Sequence, residues 1–204
     1  MSRFRLPLFL RRLACAVLPL LLAACASTPP ARHYLLEATA VSEPAADHAH
    51  RMVTLRIEHV QLADYLNRLP IVRRAGDGRL AFNDGERWAE PLELAFRRVL
   101  ADNLDRLLGG SAVVPSSMPT TSDNAYRLRV EVSQFDIGAD QQATLDARWS
   151  LRPANGKDGI VRHSRLFRPL TGSGQADSTA TVDALNRLLA DFALEVKTAL
   201  MQQP

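Results

Sequence analysis

Four residues, Leu22-Ala23-Ala24-Cys25, constrain what this chain can fold into more than any other feature. Ahead of them stand Arg3, Arg5, Arg11 and Arg12, then an apolar run from Leu13 to Leu22 that is too short to span a bilayer comfortably and so reads as a secretory signal. A small pair followed by cysteine at its end matches a bacterial lipobox. The Cys25 thiol then takes a diacylglyceryl group, cleavage falls between Ala24 and Cys25, and the freed amine is acylated. Both cysteines thereby leave the folding problem, Cys15 with the signal and Cys25 with the lipid. With no disulfide, cysteine metal site or thiol nucleophile to draw on, the domain must be held by its core alone.

The expected organisation is a signal peptide at 1–24, a lipidated N-terminus and tether at 25–32, and one domain at 33–204. Of 204 residues the signal takes 24, and the remaining 180, in a chain with 47% apolar residues, suffice for one core of ordinary size. The chain holds 25 Lys+Arg against 22 Asp+Glu; the four signal arginines leave 21 against 22, about −1 for the mature domain. The basic pI therefore belongs to the signal, and no retained basic stripe argues for a nucleic-acid partner. Inner-membrane lipoproteins commonly carry Asp directly after the lipidated cysteine; here that residue is Ala26, so the expected address is the periplasmic face of the outer membrane. From Ala26 to Arg32 the paired prolines stiffen a tether that reaches roughly 20–25 Å.

Alternation and helical spacing then set out the domain. His33 to Glu37 reads as a short strand, Ala38 to His50 as a flexible connection, and Met52 to Val60 as a half-buried strand with Val53, Leu55 and Ile57 on one face. Ile71-Val72-Arg73-Arg74 starts a strand, Gly76-Asp77-Gly78 turns it, Arg79 to Phe82 returns antiparallel, and Asn83-Asp84-Gly85 closes the hairpin. Pro91 opens a helix whose stripe is Leu92, Phe96, Val99, Leu100, Leu104 and Leu107, stopped by Gly109-Gly110. A polar surface linker follows to Asp123. Tyr126 to Ile137 alternates with a phase slip at Ser133-Gln134 that suggests a bulge, Leu145 to Leu151 alternates cleanly, and Ile160 to Leu170 forms a further strand. From about Asp177, Val182, Leu185, Leu189, Phe192, Val196 and Leu200 mark a final helix. The sum is α+β, an antiparallel or mixed sheet with two long amphipathic helices packed on it.

Chemistry is scarce along this chain. Gly172-Ser173-Gly174 lacks the spacing of a nucleophile elbow, no phosphate loop or dinucleotide fingerprint is present, and the five histidines form no helical His-x-x-x-His pair. His48 and His50 beside Asp47 sit in a loop that makes a poor metal cage. No catalytic set, metal or cofactor is expected. One local excess does stand out: Tyr65, Leu66, Ile71 and Val72 interleave with Arg68, Arg73 and Arg74, the aromatic, aliphatic and arginine mix of interface anchors. Trp88 is a further candidate for that interface, although core packing at a hairpin-to-helix corner is the plainer reading.

The run Leu62-Ala63-Asp64-Tyr65-Leu66-Asn67-Arg68, then Ile71 to Arg74, then Arg87-Trp88-Ala89-Glu90-Pro91-Leu92 and the helix through Val99 to Leu104 resembles the PqiC (YmbA) family of ABC-type transport auxiliary lipoproteins. The likeness covers the mature chain and is strongest from Tyr34 to Leu108. It implies a non-enzymatic outer-membrane lipoprotein that assembles as a ring of copies at the distal end of an MCE-domain channel carrying lipids or other hydrophobic molecules. It also implies partnership with that MCE-domain protein and its inner-membrane permease. The competing reading is a lipoprotein chaperone or pilot for an outer-membrane assembly, and a periplasmic hydrolase comes third.

Overall fold

Local periodicity resolves into one mixed sheet of eight strands with two helices. The computed structural model describes residues 30–41, 53–110, 113–114, 125–156, 158–171 and 178–203. The lipobox with Cys25, most of the tether and the His48/His50 loop lie outside the described residues. In chain order the elements are β1 (Arg32–Tyr34), β2 (Thr54–Leu62), β3 (Pro70–Arg74), β4 (Leu80–Trp88), α1 (Leu92–Leu107), β5 (Val113–Val114), β6 (Ala125–Ile137), β7 (Gln142–Pro153), β8 (Ile160–Pro169) and α2 (Ser178–Met201).

The thirteen-residue β6 is the axis of the sheet. Along one edge it pairs antiparallel with β7, which pairs with β8, giving the expected meander. Its other edge is shared: the first part runs parallel to β2, and Ile137 at its far end meets Arg73 of β3. Beyond β3 come β4 and then β1, and β5 lies on the outer side of β2, so the sheet stays open. The phase slip read at Ser133-Gln134 is a bulge, with the β6–β7 register shifting between Val132 and Gln134. That extra residue keeps Phe135 and Ile137 on the same buried face as Leu128, Val130 and Val132.

Both helices lie on that face. Leu92, Phe96, Val99, Leu100 and Leu104 of α1 and Leu185, Leu189, Phe192 and Val196 of α2 are all at most 2% exposed. At the centre Phe96 meets Phe135 edge-on at 5.2 Å and Phe192 meets Trp149 edge-on at 6.2 Å, with Phe96 and Phe192 6.5 Å apart. The Trp149 indole N–H, which could not be left bare in such a place, donates to Ser164 Oγ at 2.8 Å. Helix α1 ends as its two glycines require: Gly109 and Gly110 both take positive φ, and the Gly110 N–H donates to the Asp105 carbonyl at 2.8 Å.

Four expectations are corrected. Strand β1 stops at Tyr34, because from Leu35 the backbone leaves the sheet and crosses to the helices, with Leu36 fully buried. Of the connection read as flexible from Ala38, the described part is fastened: the Thr39 hydroxyl donates to the Asn186 carbonyl at 3.3 Å, the Ala40 N–H to Asn103 Oδ1 at 2.9 Å, and Arg106 donates to the Ala38 carbonyl at 2.7 Å. Asn83-Asp84-Gly85 does not end the hairpin strand. Asn83 is still paired with Ile71 while Arg87 pairs with Pro70, so Asp84 to Glu86 form an insertion within β4, and β4 runs on to Trp88 beside β1. Finally, Val113-Val114 in the presumed surface linker forms a short parallel strand on β2. Residues Ala31–Pro204 make up a compact unit of their own.

Candidate functional site

The segment singled out in the sequence connects β2 to β3. After Leu62 the Ala63 N–H bonds to the Val132 carbonyl at 2.9 Å, and Asp64–Leu66 closes a single 3-10 turn with the Leu66 N–H on the Ala63 carbonyl at 2.8 Å. That turn drives Leu66 into the core and presents Tyr65 to β6. The Tyr65 hydroxyl donates to Asp136 Oδ2 at 2.7 Å, and Arg74 reaches the same carboxylate through Nε at 3.0 Å while donating from Nη2 to the Tyr65 oxygen at 2.8 Å. Gln134 Nε2 supplies a further bond to Oδ1 at 2.8 Å. Asp136 is thus a buried carboxylate saturated with donors, which is the condition for keeping such a charge inside a protein.

The electrostatics follow from this arrangement. Burial, reinforced by the Asp136 carboxylate, pushes the Tyr65 phenol well above its ordinary value, so it stays a hydrogen-bond donor. Burial works against the charge on Arg74, but the Tyr65 and Asp136 contacts outweigh it and hold the guanidinium charged. The guanidinium also lies 5.1 Å from the Tyr65 ring centroid. Arg73 points to the other face of the sheet and donates to Thr181 Oγ1 of α2 at 2.7 Å. Arg73 and Arg74 therefore bolt β3 to α2 and to β6 respectively.

Of the eight interface candidates, Leu66, Ile71, Val72 and Trp88 are at most 5% exposed, so they shape this region from beneath. Trp88 belongs to the core cluster, and its backbone N–H donates to the Leu69 carbonyl at 2.7 Å. What reaches solvent is Arg68, with its guanidinium 5.6 Å from the ring centroid of Phe82, together with Leu69 at 47% and Phe82 at 42% exposure. Phe82 is the cross-strand partner of Val72. Sequence reading missed Asp136, Leu69 and Phe82; the one available signal for Asp136 was an acid set among Phe135 and Ile137 after a phase slip.

Charge reversal at Arg74 thus strikes a network rather than a solvated face. Arg74→Ala should lower stability by about 2–3 kcal/mol, the lower end for a broken buried pair because Arg74 remains 37% exposed at its side chain. Urea unfolding checks this, and a loss below about 0.5 kcal/mol would mean that Asp136 finds its donors elsewhere.

A second polar cluster lies on the sheet face turned away from the helices. Asp146 accepts from Ser133 Oγ at 2.7 Å and lies 2.8 Å from His163 Nε2. Burial alone would raise the Asp146 pKa, but the His163 and Ser133 hydrogen bonds and the nearby Arg165 charge bring it below the usual value. The carboxylate stands between the serine and the histidine, whereas nucleophilic catalysis needs histidine between serine and acid. This trio is a cross-strand tie.

No helix among the described residues is long and apolar enough to cross a membrane. Comparison with known proteins matches the family model for the ABC-type transport auxiliary lipoprotein component over residues 34–197. Solved structures that share the fold include the following two. One is described only as an uncharacterized protein, at 23% identity with a TM-score of 0.66, covering 82% of this chain and 97% of that one. The other is protein XCC0632 of Xanthomonas campestris, a member of family DUF330, at 20% identity with a TM-score of 0.63, covering 81% of this chain and 92% of that one. No curated protein matches significantly. With the family model spanning most of the sequence, this chain belongs to the ABC-type transport auxiliary lipoproteins.

Proposed function

We propose that this chain is a non-catalytic docking component of an intermembrane transport system, lipid-anchored through Cys25 at the periplasmic face of the outer membrane, where copies of it form a ring that receives an MCE-domain channel. The observation that carries the reading is the coincidence of an N-terminal lipobox with a family match to transport auxiliary lipoproteins over 34–197. Ala26 in place of Asp supports the outer-membrane address. A ring requires a heterologous contact, one surface of a copy meeting a different surface of the next. Tyr65, Arg68 and the exposed Leu69 and Phe82 supply the aromatic, arginine and aliphatic chemistry for one side of it.

Affinity purification of the lipoprotein from detergent extracts tests the reading. The expected result is recovery of an MCE-domain protein with its permease, sedimentation of the lipoprotein with the outer membrane, and a mass by light scattering of several copies. Combining Arg68→Glu with Phe82→Ser should reduce that mass toward one copy while circular dichroism stays unchanged. Recovery of a β-barrel or secretin assembly factor instead of the transport proteins would overturn the reading in favour of a pilot lipoprotein.

A further inference from the structure

The helix-free face of the sheet carries a row of arginines. In register across three neighbouring strands, Arg56 of β2 pairs with Arg127 of β6, and Arg127 pairs with Arg152 of β7. Arg129 follows on the same face of β6, since it and Arg127 alternate with the fully buried Leu128 and Val130. Arg127 and Arg152 face one another on antiparallel strands, where opposite side chains lie about 4.5–5.5 Å apart at Cβ and like charges cost stability. A sheet face under no other demand would alternate signs.

Three of these arginines, Arg127, Arg129 and Arg152, line a recess of about 350 Å³ together with Glu58, Ser150 and Gly156. Glu58 is the sole carboxylate of that lining, and it is shared between Arg129 at 2.9 Å and Arg127 at 3.5 Å. The Arg152 side chain forms no ion pair or hydrogen bond with any described residue. Three guanidinium groups against one carboxylate leave an excess of positive charge in a concave site floored by a hydroxyl. Adjoining it, a groove lined by Arg129, Arg148 and Arg152 with one carboxylate, Glu131, leads to Val161 of β8, an apolar side chain left 64% exposed.

We propose that this recess binds the phosphate of an anionic phospholipid headgroup. Guanidinium forks match phosphate oxygens bidentately, and the exposed valine beside them suits the less polar part of an amphiphile. An extended acidic peptide would be served better by a long stripe than by a concave pocket next to an apolar residue. The proposal rests on the Cys25 anchor in one respect: a tether of roughly 20–25 Å holds the domain beside headgroups at high local concentration, so that a weak site is occupied.

Native mass spectrometry of the full lipoprotein in neutral detergent tests it, with phosphatidylglycerol or phosphatidylcholine added. Wild type should retain phosphatidylglycerol over phosphatidylcholine, and Arg127→Gln with Arg152→Gln should weaken retention about tenfold or more. An Arg79→Gln control on the distant β3–β4 hairpin should change nothing. Arg152→Gln alone should raise the melting temperature by about 1–3 °C by relieving the cross-strand repulsion, where a structural arginine would lower it. Equal retention of both lipids, or phosphatidylglycerol binding unaltered in the double variant, would overturn the proposal. So would inorganic phosphate binding that depends on Arg127 and Arg152 without any lipid binding, which assigns the site to free phosphate. Loss of a copurifying protein from the double variant, with lipid binding absent in wild type, assigns it to an acidic partner segment. Failure of the anchor is read separately, as loss of palmitate label from the wild type.

Discussion

Cys25→Ala is expected to abolish membrane attachment altogether, leaving an unprocessed precursor that takes up no labelled palmitate. The size of the effect follows from the anchor chemistry. Each acyl CH₂ buried in a bilayer contributes about 0.8 kcal/mol, so a single chain binds reversibly whereas two or three hold essentially permanently. Among the described residues no helix offers a substitute, since none is long and apolar enough to cross a membrane. Lipidation also precedes signal cleavage in this pathway, so losing the thiol blocks both steps. Metabolic labelling with precursor and mature forms separated by gel mobility decides the matter. A Cys25→Ala chain that is still labelled and shortened to mature size would show that the anchor lies elsewhere.

The largest expected effect on folding comes from Phe96→Ala. Phe96 is fully buried and touches Phe135 of the sheet and Phe192 of the second helix, so one side chain ties three elements together. Removing a buried ring costs the lost transfer energy plus a cavity that rigid neighbours cannot fill, about 3–5 kcal/mol in total. A domain of this size commonly has about 5–15 kcal/mol to lose. The midpoint of thermal unfolding should fall by about 6–20 °C, at about 2–4 °C for each kcal/mol. Phe96→Leu should recover more than half of the loss, because it keeps most of the volume. If Phe96→Ala shifted the midpoint by less than about 3 °C, the aromatic cluster would not be the centre of the core.

These two residues illustrate how far linear reading went. Cys25 is proposed as the anchor from local order alone, a basic start, an apolar run, a small pair and a cysteine, an order that would be read before folding. Phe96 was found by spacing, because a stripe at helical period can be buried only on one side. By the same logic α1, α2, β3, β7 and the bulge in β6 were legible, each carrying its period in its own residues.

Pairing between distant strands was not legible in this way. Val113-Val114 is too short to show a period and becomes a strand only because β2 offers a free edge. Asn83-Asp84-Gly85 has the composition of a turn, yet β1 and Leu69 satisfy the backbone beyond it and β4 continues. Arg73 and Arg74 read in sequence as interface anchors, whereas the end of β6 sets Asp136 against Arg74 and α2 sets Thr181 against Arg73. The arginine row at Arg56, Arg127 and Arg152 is the clearest case, since 71 and 25 positions separate these residues and only strand register makes them neighbours. Sequence by itself determined the element types and the faces they bury, because these depend on local chemistry and period. Tertiary structure alone decided strand order, the Asp136 network and the basic recess, because each requires groups far apart in the chain to satisfy, or to repel, one another across a hydrogen-bonded sheet.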